Sequence, residues 1–288
     1  MSEEKLLNGK RFADQLNLKL KENITAAYKE MGKRPRLAAL LVGQNPASMI
    51  YVNIKRKTCE DIGIDFNLIN LDQNISKDQL FKEIDKVNKD EKVNGIILQL
   101  PLPKHLQEYS LEFVEHISPL KDVDGLHPYN QGKLFNYDEE FAPATPKGII
   151  ALLEHYNVNF KGKEVIIINR SNLVGKPLIF MFLKRNSTIT VCHTSTINIE
   201  NHIKRADILV VAVGRPKFIT KDKIKKGAII VDVGTNRVDG KLCGDVDFDG
   251  VLEKCSKLTP SPGGVGPLTV SFLCHNTFDV FKKQVNLS

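Results

Sequence analysis

The sequence predicts an α/β protein of two domains, each built on parallel strands. Three observations predict it. Helical and strand-like apolar patterns alternate along the chain, as they do where helices carry a chain from one parallel strand to the next. The best apolar runs, 37–42, 208–213 and 228–233, are all of strand length. The stretch from Lys121 to Pro146 loses both patterns, and 288 residues exceed the usual size of one domain, so a boundary is expected there.

Residues 5–31 read as a helix, with Leu6, Phe12, Leu16, Leu20, Ile24 and Ala27 at helical spacing. A buried strand follows over 36–43 and a helix over 47–62, ending at Gly63. Residues 66–71 form a strand, and Ser76 opens a helix to Asn88. The strand 95–100 is stopped by Pro101 and Pro103, because proline cannot serve a central ladder. Between 121 and 146 the chain turns through DVDG, PYNQG, NYDEE and PATP. A helix over 146–156 tolerates proline in its first turn. A second series then runs: strand 164–169, helix 175–184, strands 188–193, 207–214 and 228–234, and an amphipathic helix from 268 to 284.

Lys plus Arg number 41 against 34 Asp plus Glu, a net of +7 spread along the chain. That mildly favours an anionic ligand, while the absence of tryptophan and of a basic stripe with aromatic platforms argues against a nucleic-acid binder. No run approaches the roughly 18 apolar residues of a membrane helix. The opening MSEEKLLNGK lacks the order of a secretory signal. Five cysteines without a C-x-x-C pair read as reduced core residues of a cytoplasmic protein. Seven histidines without H-E-x-x-H spacing make a protein-bound metal unexpected.

The run VIIINRSNLVGKP, 165–177, is a strand feeding a helix, where free amides and the helix dipole favour phosphate. It lacks G-x-G-x-x-G spacing, and an ordinary turn fits as well. Two details lean towards a phosphorylated dinucleotide. The end of the next strand, 191–196, carries no acid to hold a ribose 2′-hydroxyl, and Arg170 in the turn could pair with a 2′-phosphate. The turns 213–216 and 233–236 end strands with glycine, as loops crossing a cofactor do.

Tyr51 and Lys55 stand four apart and share a helix face. A partly desolvated lysine there could act as acid or base, and a solvated lysine beside a half-buried tyrosine has the same spacing. Gln99 ends an otherwise apolar strand and would need partners if buried. KDVDG at 121–125 packs three charges into a turn, as surface turns often do. Residues 260–267 hold three glycines and three prolines, which suits backbone packed against a ligand or a sharp reversal.

Six ordered blocks together resemble the bifunctional methylenetetrahydrofolate dehydrogenase/methenyltetrahydrofolate cyclohydrolase family. They are YVNIKRKTCEDIGI (51–64), GIILQLPLP (95–103), KDVDGLHPYNQGKL (121–134), RSNLVGKP (170–177), CHTST (192–196) and PGGVGPLT (262–269). The resemblance implies an N-terminal α/β folate-site domain, 1–140, rejoined by a C-terminal helix, 268–288. It also implies a Rossmann-like NADP-binding domain, 141–267, with a cleft between the two. It makes Lys55 the catalytic lysine, Tyr51 the ring that stacks on folate, Gln99 the lysine's partner and Asp124 the acid that holds the pterin. Ser48 would line the same cleft, and Gly264, Val265, Gly266 and Pro267 would close over the folate. Asn169, Arg170, Ser171, Thr194 and Thr235 would contact NADP. A cytoplasmic homodimer is implied, with no nucleic acid or membrane partner. Four positions depart from the family pattern: Asn169 stands for a glycine, Ala144 for a cysteine, Thr194 for a serine and Thr235 for isoleucine or valine. The activities implied are oxidation of 5,10-methylenetetrahydrofolate with NADP and hydrolysis of the methenyl product to 10-formyltetrahydrofolate. A monofunctional NAD-dependent dehydrogenase and a non-catalytic relative are the rival readings, and the full set of polar site residues weighs against both.

Overall fold

The structure is a computed structural model that describes residues 3–287. Met1, Ser2 and Ser288, which the sequence reading counts in the first domain and the final helix, lie outside the described residues. In chain order the helices are α1 (Gly9–Met31), α2 (Pro46–Ile62), α3 (Lys77–Lys89), α4 (Ser110–His116), α5 (Pro128–Phe135), α6 (Ala144–His155), α7 (Gly175–Lys184), α8 (Ile199–Ile203), α9 (Phe248–Lys254) and α10 (Val265–Gln284). The strands are β1 (Arg36–Val42), β2 (Asp65–Leu71), β3 (Gly95–Leu98), β4 (Glu164–Ile168), β5 (Thr188–Cys192), β6 (Ile208–Val211), β7 (Ile229–Asp232), β8 (Asn236–Val238), β9 (Lys241–Cys243) and β10 (Lys257–Leu258).

The chain packs as two compact units. A three-strand unit holds Gln15–Lys133, Glu140–Ala144 and the chain from Val270 onward. A five-strand unit holds the chain up to Asp14, Leu134–Glu139 and Thr145–Thr269. The first described residues therefore pack with the second sheet rather than with the 1–140 stretch that the sequence reading assigns them to. Backbone pairing explains this: Leu6 bridges Leu258, and the amides of Leu7 and Lys10 donate to the carbonyls of Leu258 and Gly263.

In the three-strand unit the order is β2-β1-β3, all parallel. Side chains alternate across the sheet. Ala38, Leu40 and Val42 pack on one face with Leu80 and Ile84 of α3 and Phe113 of α4. Leu37, Ala39 and Ile97 pack on the other with Leu20 and Ile24 of α1 and Cys59 of α2. Both faces are covered, which is why β1 reads as a continuous apolar run.

In the five-strand unit the order is β10-β7-β6-β4-β5, again parallel. The chain passes from β4 to β5 on one side, then returns to place β6 on the other, so the order reverses at β4. Ligands bind outside the carboxyl ends of strands at such a reversal. The hairpin β8–β9 is antiparallel.

The structure corrects the reading of 121–146 as a run of turns, because α5 lies within it. Five of its eight residues, Pro128, Tyr129, Asn130, Gly132 and Phe135, are weak helix formers, and tertiary bonds hold it: Asn130 Nδ2 donates to Pro119 O and to Asp122 Oδ2. Helices α4, α8 and α9, the hairpin and β10 carry too few residues to show a period in sequence. Helix α10 starts at Val265, ahead of the expected Leu268, with Pro267 tolerated in its first turn. Among the described residues no helix is long and apolar enough to cross a membrane.

Candidate functional site

In the three-strand unit the site is built at the carboxyl ends of β1 and β3. Asn45 caps α2, its side chain accepting from the Ser48 amide, and Pro46 takes the first helical position. The helix then presents Ser48, Tyr51 and Lys55 at successive turns. Ser48 is buried, and its hydroxyl has no hydrogen-bond partner among the described residues. Tyr51 is 47% exposed, which leaves much of its ring open to a ligand. Lys55 is half-buried, and its Nζ donates to Gln99 Oε1 at 3.1 Å.

Gln99 comes from the strand side. Its amide continues the β3 ladder by donating to Leu40 O, and its side chain is buried. Nε2 donates to Leu100 O at 2.7 Å, so Oε1 must face the lysine. The buried-amide reading of Gln99 is thus the one the structure supports: both ends of the amide are engaged.

The three charges of KDVDG separate by role. Lys121 Nζ donates to Asn88 O and Asp90 O at 2.8 and 2.7 Å, satisfying carbonyls at the end of α3. Asp122 accepts from the amides of Gly125, Leu126 and His127 and from Asn130 Nδ2. Burial pushes its carboxyl above the ordinary carboxylate range, against the pull of those bonds. Both are structural. Asp124 is half-buried, and among the described residues its carboxylate has no hydrogen bond or ion pair.

In the five-strand unit a cleft of about 410 Å³ opens at the carboxyl ends of β4, β5 and β6. Asn169, Arg170 and Thr194 line it, together with Arg215 from the loop after β6. Among the described residues no carboxylate lines it, in keeping with an anionic ligand. The Asn169 side chain folds into the turn: Nδ2 donates to Ala212 O, while Oδ1 accepts from the amides of Ser171 and Gly175 and from Ser171 Oγ. It thereby caps α7 from six residues upstream, where the local N-cap, Val174, offers no side-chain acceptor. A Cβ on Gly175 would lie 2.1 Å from Asn169 O, so only glycine lets the helix approach the strand end this closely. Thr194 is exposed on a turn that Thr196 closes, its Oγ1 accepting from the His193 amide. Thr235 is exposed after β7 and lies outside this lining.

Residues 260–267 form a sharp reversal. A Cβ on Gly264 would lie 2.5 Å from Pro260 O, and one on Gly9 would lie 1.9 Å from Gly264 O. The glycine there is demanded by the chain's own backbone. Gly264 and Val265 are buried, Pro267 half-buried, and Gly266 exposed with open space beside it.

Sequence reasoning misses two further aspartates. Asp245, fully buried, accepts from the amides of Val213, Gly214 and Arg215 at 2.6, 3.1 and 2.7 Å, and from Asn236 Nδ2 at 2.9 Å. Asp232, at the end of β7, accepts from the amides of Gly234, Asp245 and Val246. Burial pushes the Asp232 carboxyl up to about 6, which its hydrogen bonds only partly oppose. Together the pair shapes the β6 loop that borders the cleft. Their signal is not local, since Asp245 and its amide partners stand some 30 residues apart.

Family models match the chain in two blocks. The catalytic domain of tetrahydrofolate dehydrogenase/cyclohydrolase matches residues 7–124, and its NAD(P)-binding domain matches 143–285. A bifunctional FolD protein of Bacillus cytotoxicus is 48% identical over 279 residues, covering 96% of each chain. The crystal structure of the FolD methylenetetrahydrofolate dehydrogenase/cyclohydrolase from Campylobacter jejuni superposes with a TM-score of 0.93 at 41% identity, covering 96% of this chain and 98% of that one. The Trypanosoma brucei enzyme, solved with NADP and an inhibitor, superposes with a TM-score of 0.92 at 32% identity, covering 97% and 98%.

Proposed function

The chain belongs to the tetrahydrofolate dehydrogenase/cyclohydrolase family, and on that premise we propose how its own residues divide the work. The protein oxidises 5,10-methylenetetrahydrofolate to the 5,10-methenyl form with NADP and hydrolyses that product to 10-formyltetrahydrofolate. It is an oxidoreductase and a hydrolase of one-carbon metabolism. The observation that carries the residue assignment is the 3.1 Å bond from Lys55 Nζ to Gln99 Oε1.

A neutral amide orients the lysine without the fixed ion pair a carboxylate would impose. Among the described residues no carboxylate forms an ion pair with Lys55, so its nitrogen keeps donors free for substrate. In hydrolysis Lys55 manages the proton of the attacking water and of the ring nitrogen that leaves. Gln99 keeps it aimed. Asp124 accepts two hydrogen bonds from the amino-pyrimidinone edge of the pterin. The exposed Tyr51 ring stacks on the folate, and the unpartnered Ser48 hydroxyl adds a donor beside it. Gly264, Val265, Gly266 and Pro267 keep the family role of backbone laid against the folate.

The cleft of the five-strand unit fits NADP: it lies at the reversal point of a parallel sheet and carries cations without acids. When bound, NADP supplies the hydride acceptor of the first reaction. Arg170 pairs with the 2′-phosphate, while Asn169, Ser171, Thr194 and Thr235 contact the rest of the cofactor. In this reading the three-strand unit is the folate domain, the five-strand unit is the NADP domain, and the enzyme works as a cytoplasmic homodimer.

The test is a spectrophotometric assay with methylenetetrahydrofolate and either NADP or NAD, following reduced nicotinamide and methenyl product separately. NADP reduction without methenyl build-up is expected. Reduction with methenyl accumulating would remove the hydrolytic role from Lys55 and Gln99, and no reduction with either cofactor would sink the assignment of the cleft.

A further inference from the structure

We propose that Arg215 is a second cation for the 2′-phosphate of the dinucleotide, acting beside Arg170, and so helps the enzyme select NADP over NAD. The inference rests on reading the β4–β6 cleft as the NADP site.

Arg170 and Arg215 reach the cleft from different loops, the first after β4 and the second after β6. Both are exposed, and among the described residues neither guanidinium has an ion pair or a hydrogen bond to the protein. Each is therefore available to a ligand, and no carboxylate in the lining competes for it. The end of β5, where a dinucleotide-binding sheet that prefers NAD would place an acid, offers Thr194 and Thr196 instead.

Asp245 makes the side chain of Arg215 the decisive group of its loop. Three consecutive amides, of Val213, Gly214 and Arg215, form the kind of nest that binds phosphate. Here the buried Asp245 carboxylate already occupies that nest. The loop has no free amide at those positions to offer an anion, so its contribution to anion recognition falls to the guanidinium. The same bonds fix the backbone from which that guanidinium projects, which lowers the ordering cost of using a long side chain. Because the bond to Asp245 comes from the main chain, replacing the side chain leaves the loop anchored.

The experiment titrates the purified full chain with adenosine 2′,5′-bisphosphate and with AMP by calorimetry, for the wild type, Arg215→Gln, Arg215→Lys and Arg170→Gln. Arg215→Gln is expected to weaken the bisphosphate by about tenfold, the scale of one charge-assisted hydrogen bond, and to leave AMP within about twofold. Arg215→Lys should recover part of the loss. The ratio of KM for NADP to KM for NAD should rise in step. Equal weakening of both probes would overturn the proposal, since Arg215 would then serve the 5′-phosphate or the loop. Unchanged bisphosphate affinity would overturn it too. If Arg170→Gln discriminates between the probes and Arg215→Gln does not, this proposal falls and the NADP reading stands. If neither variant discriminates, the reading of the cleft falls with it.

Discussion

The two sheets begin alike and finish differently. In each, the first strand sits centrally, the second pairs on one side and the third on the other: β2-β1-β3 in one unit and β5-β4-β6 in the other. In each, the helix after the first strand is capped by an asparagine. Asn45 does so at the N-cap of α2, and Asn169 does so across the turn into α7. Beyond that the two carboxyl edges diverge. The three-strand unit offers side chains: Ser48, Tyr51 and Lys55 from α2, and Gln99 from the end of β3. The five-strand unit offers loops held by Asn169, Asp232 and Asp245, from which the exposed side chains of Arg170 and Arg215 reach the cleft. One parallel-sheet edge can thus serve either as a platform for reactive groups or as a mould for an extended cofactor, depending on where the polar side chains are used.

The comparison is broken or sharpened by four measurements. Lys55→Met should lower cyclohydrolase turnover by about 10²- to 10⁴-fold, the range of one acid–base group, while folate still binds. Unchanged turnover would take Lys55 out of the chemistry and leave the first edge without its reactive group. Asp245→Ala should cost about 3 kcal/mol or more in urea unfolding, because it leaves the buried amides of the β6 loop unpaired. Ser48→Ala, whose hydroxyl has no protein partner, should cost less than about 1 kcal/mol by the same measure. If the two losses were equal, the contrast between moulded backbone and offered side chain would fail.

The third measurement is pH dependence. Asp232 holds its proton more tightly folded, at about 6, than at the ordinary 3.8. Its contribution to stability is therefore complete below about pH 4 and is lost as pH rises through 6, a change on the order of 3 kcal/mol. Urea unfolding from pH 4 to 7 should show this decline in the wild type and not in Asp232→Asn. Parallel curves would clear Asp232 of the effect. The smallest change is Gly132→Ala in α5, where an added Cβ meets nothing within 4 Å. It should stabilise by about 0.5–1 kcal/mol through helix propensity, read as a rise in Tm. A fall would mean that α5 is held in place by more than its bonds to Pro119 and Asp122.

How far the sequence reads depends on the kind of feature. The spacing of Tyr51 and Lys55 places them on one helix face, whereas Gln99, 44 residues away, is paired with the lysine in sequence only through the family resemblance, and the fold brings the two side chains together. The KDVDG turn is visible as charges and a glycine, yet composition alone does not separate its three charged residues, and the structure places Lys121 on the carbonyls at the end of α3 and Asp122 on the turn amides. Asn169 reads as a departure from a glycine pattern. In the fold it is a cap, and its bonds to Ala212, Ser171 and Gly175 explain how a side chain is accommodated there. The Gly-Pro stretch at 260–267 leaves ligand contact and chain reversal both open in sequence, and its tight glycine is explained by the backbone of Pro260 and Gly9.

The sequence by itself determined the alternation of strands and helices, the apolar runs of β1, β6 and β7, the cap at Ser76, and the shared helix face of Tyr51 and Lys55. These follow from period and residue type within a dozen neighbours, where burial on both faces and capping leave a local imprint. Tertiary structure decided the rest. It settled which aspartates hold loops, where α5 forms, and which sheet the first described residues join. Those outcomes hang on hydrogen bonds between residues tens to hundreds of positions apart, such as Leu7 to Leu258 and Arg215 to Asp245. A buried acceptor must find its donors wherever the fold brings them, and that requirement leaves no periodic trace along the chain.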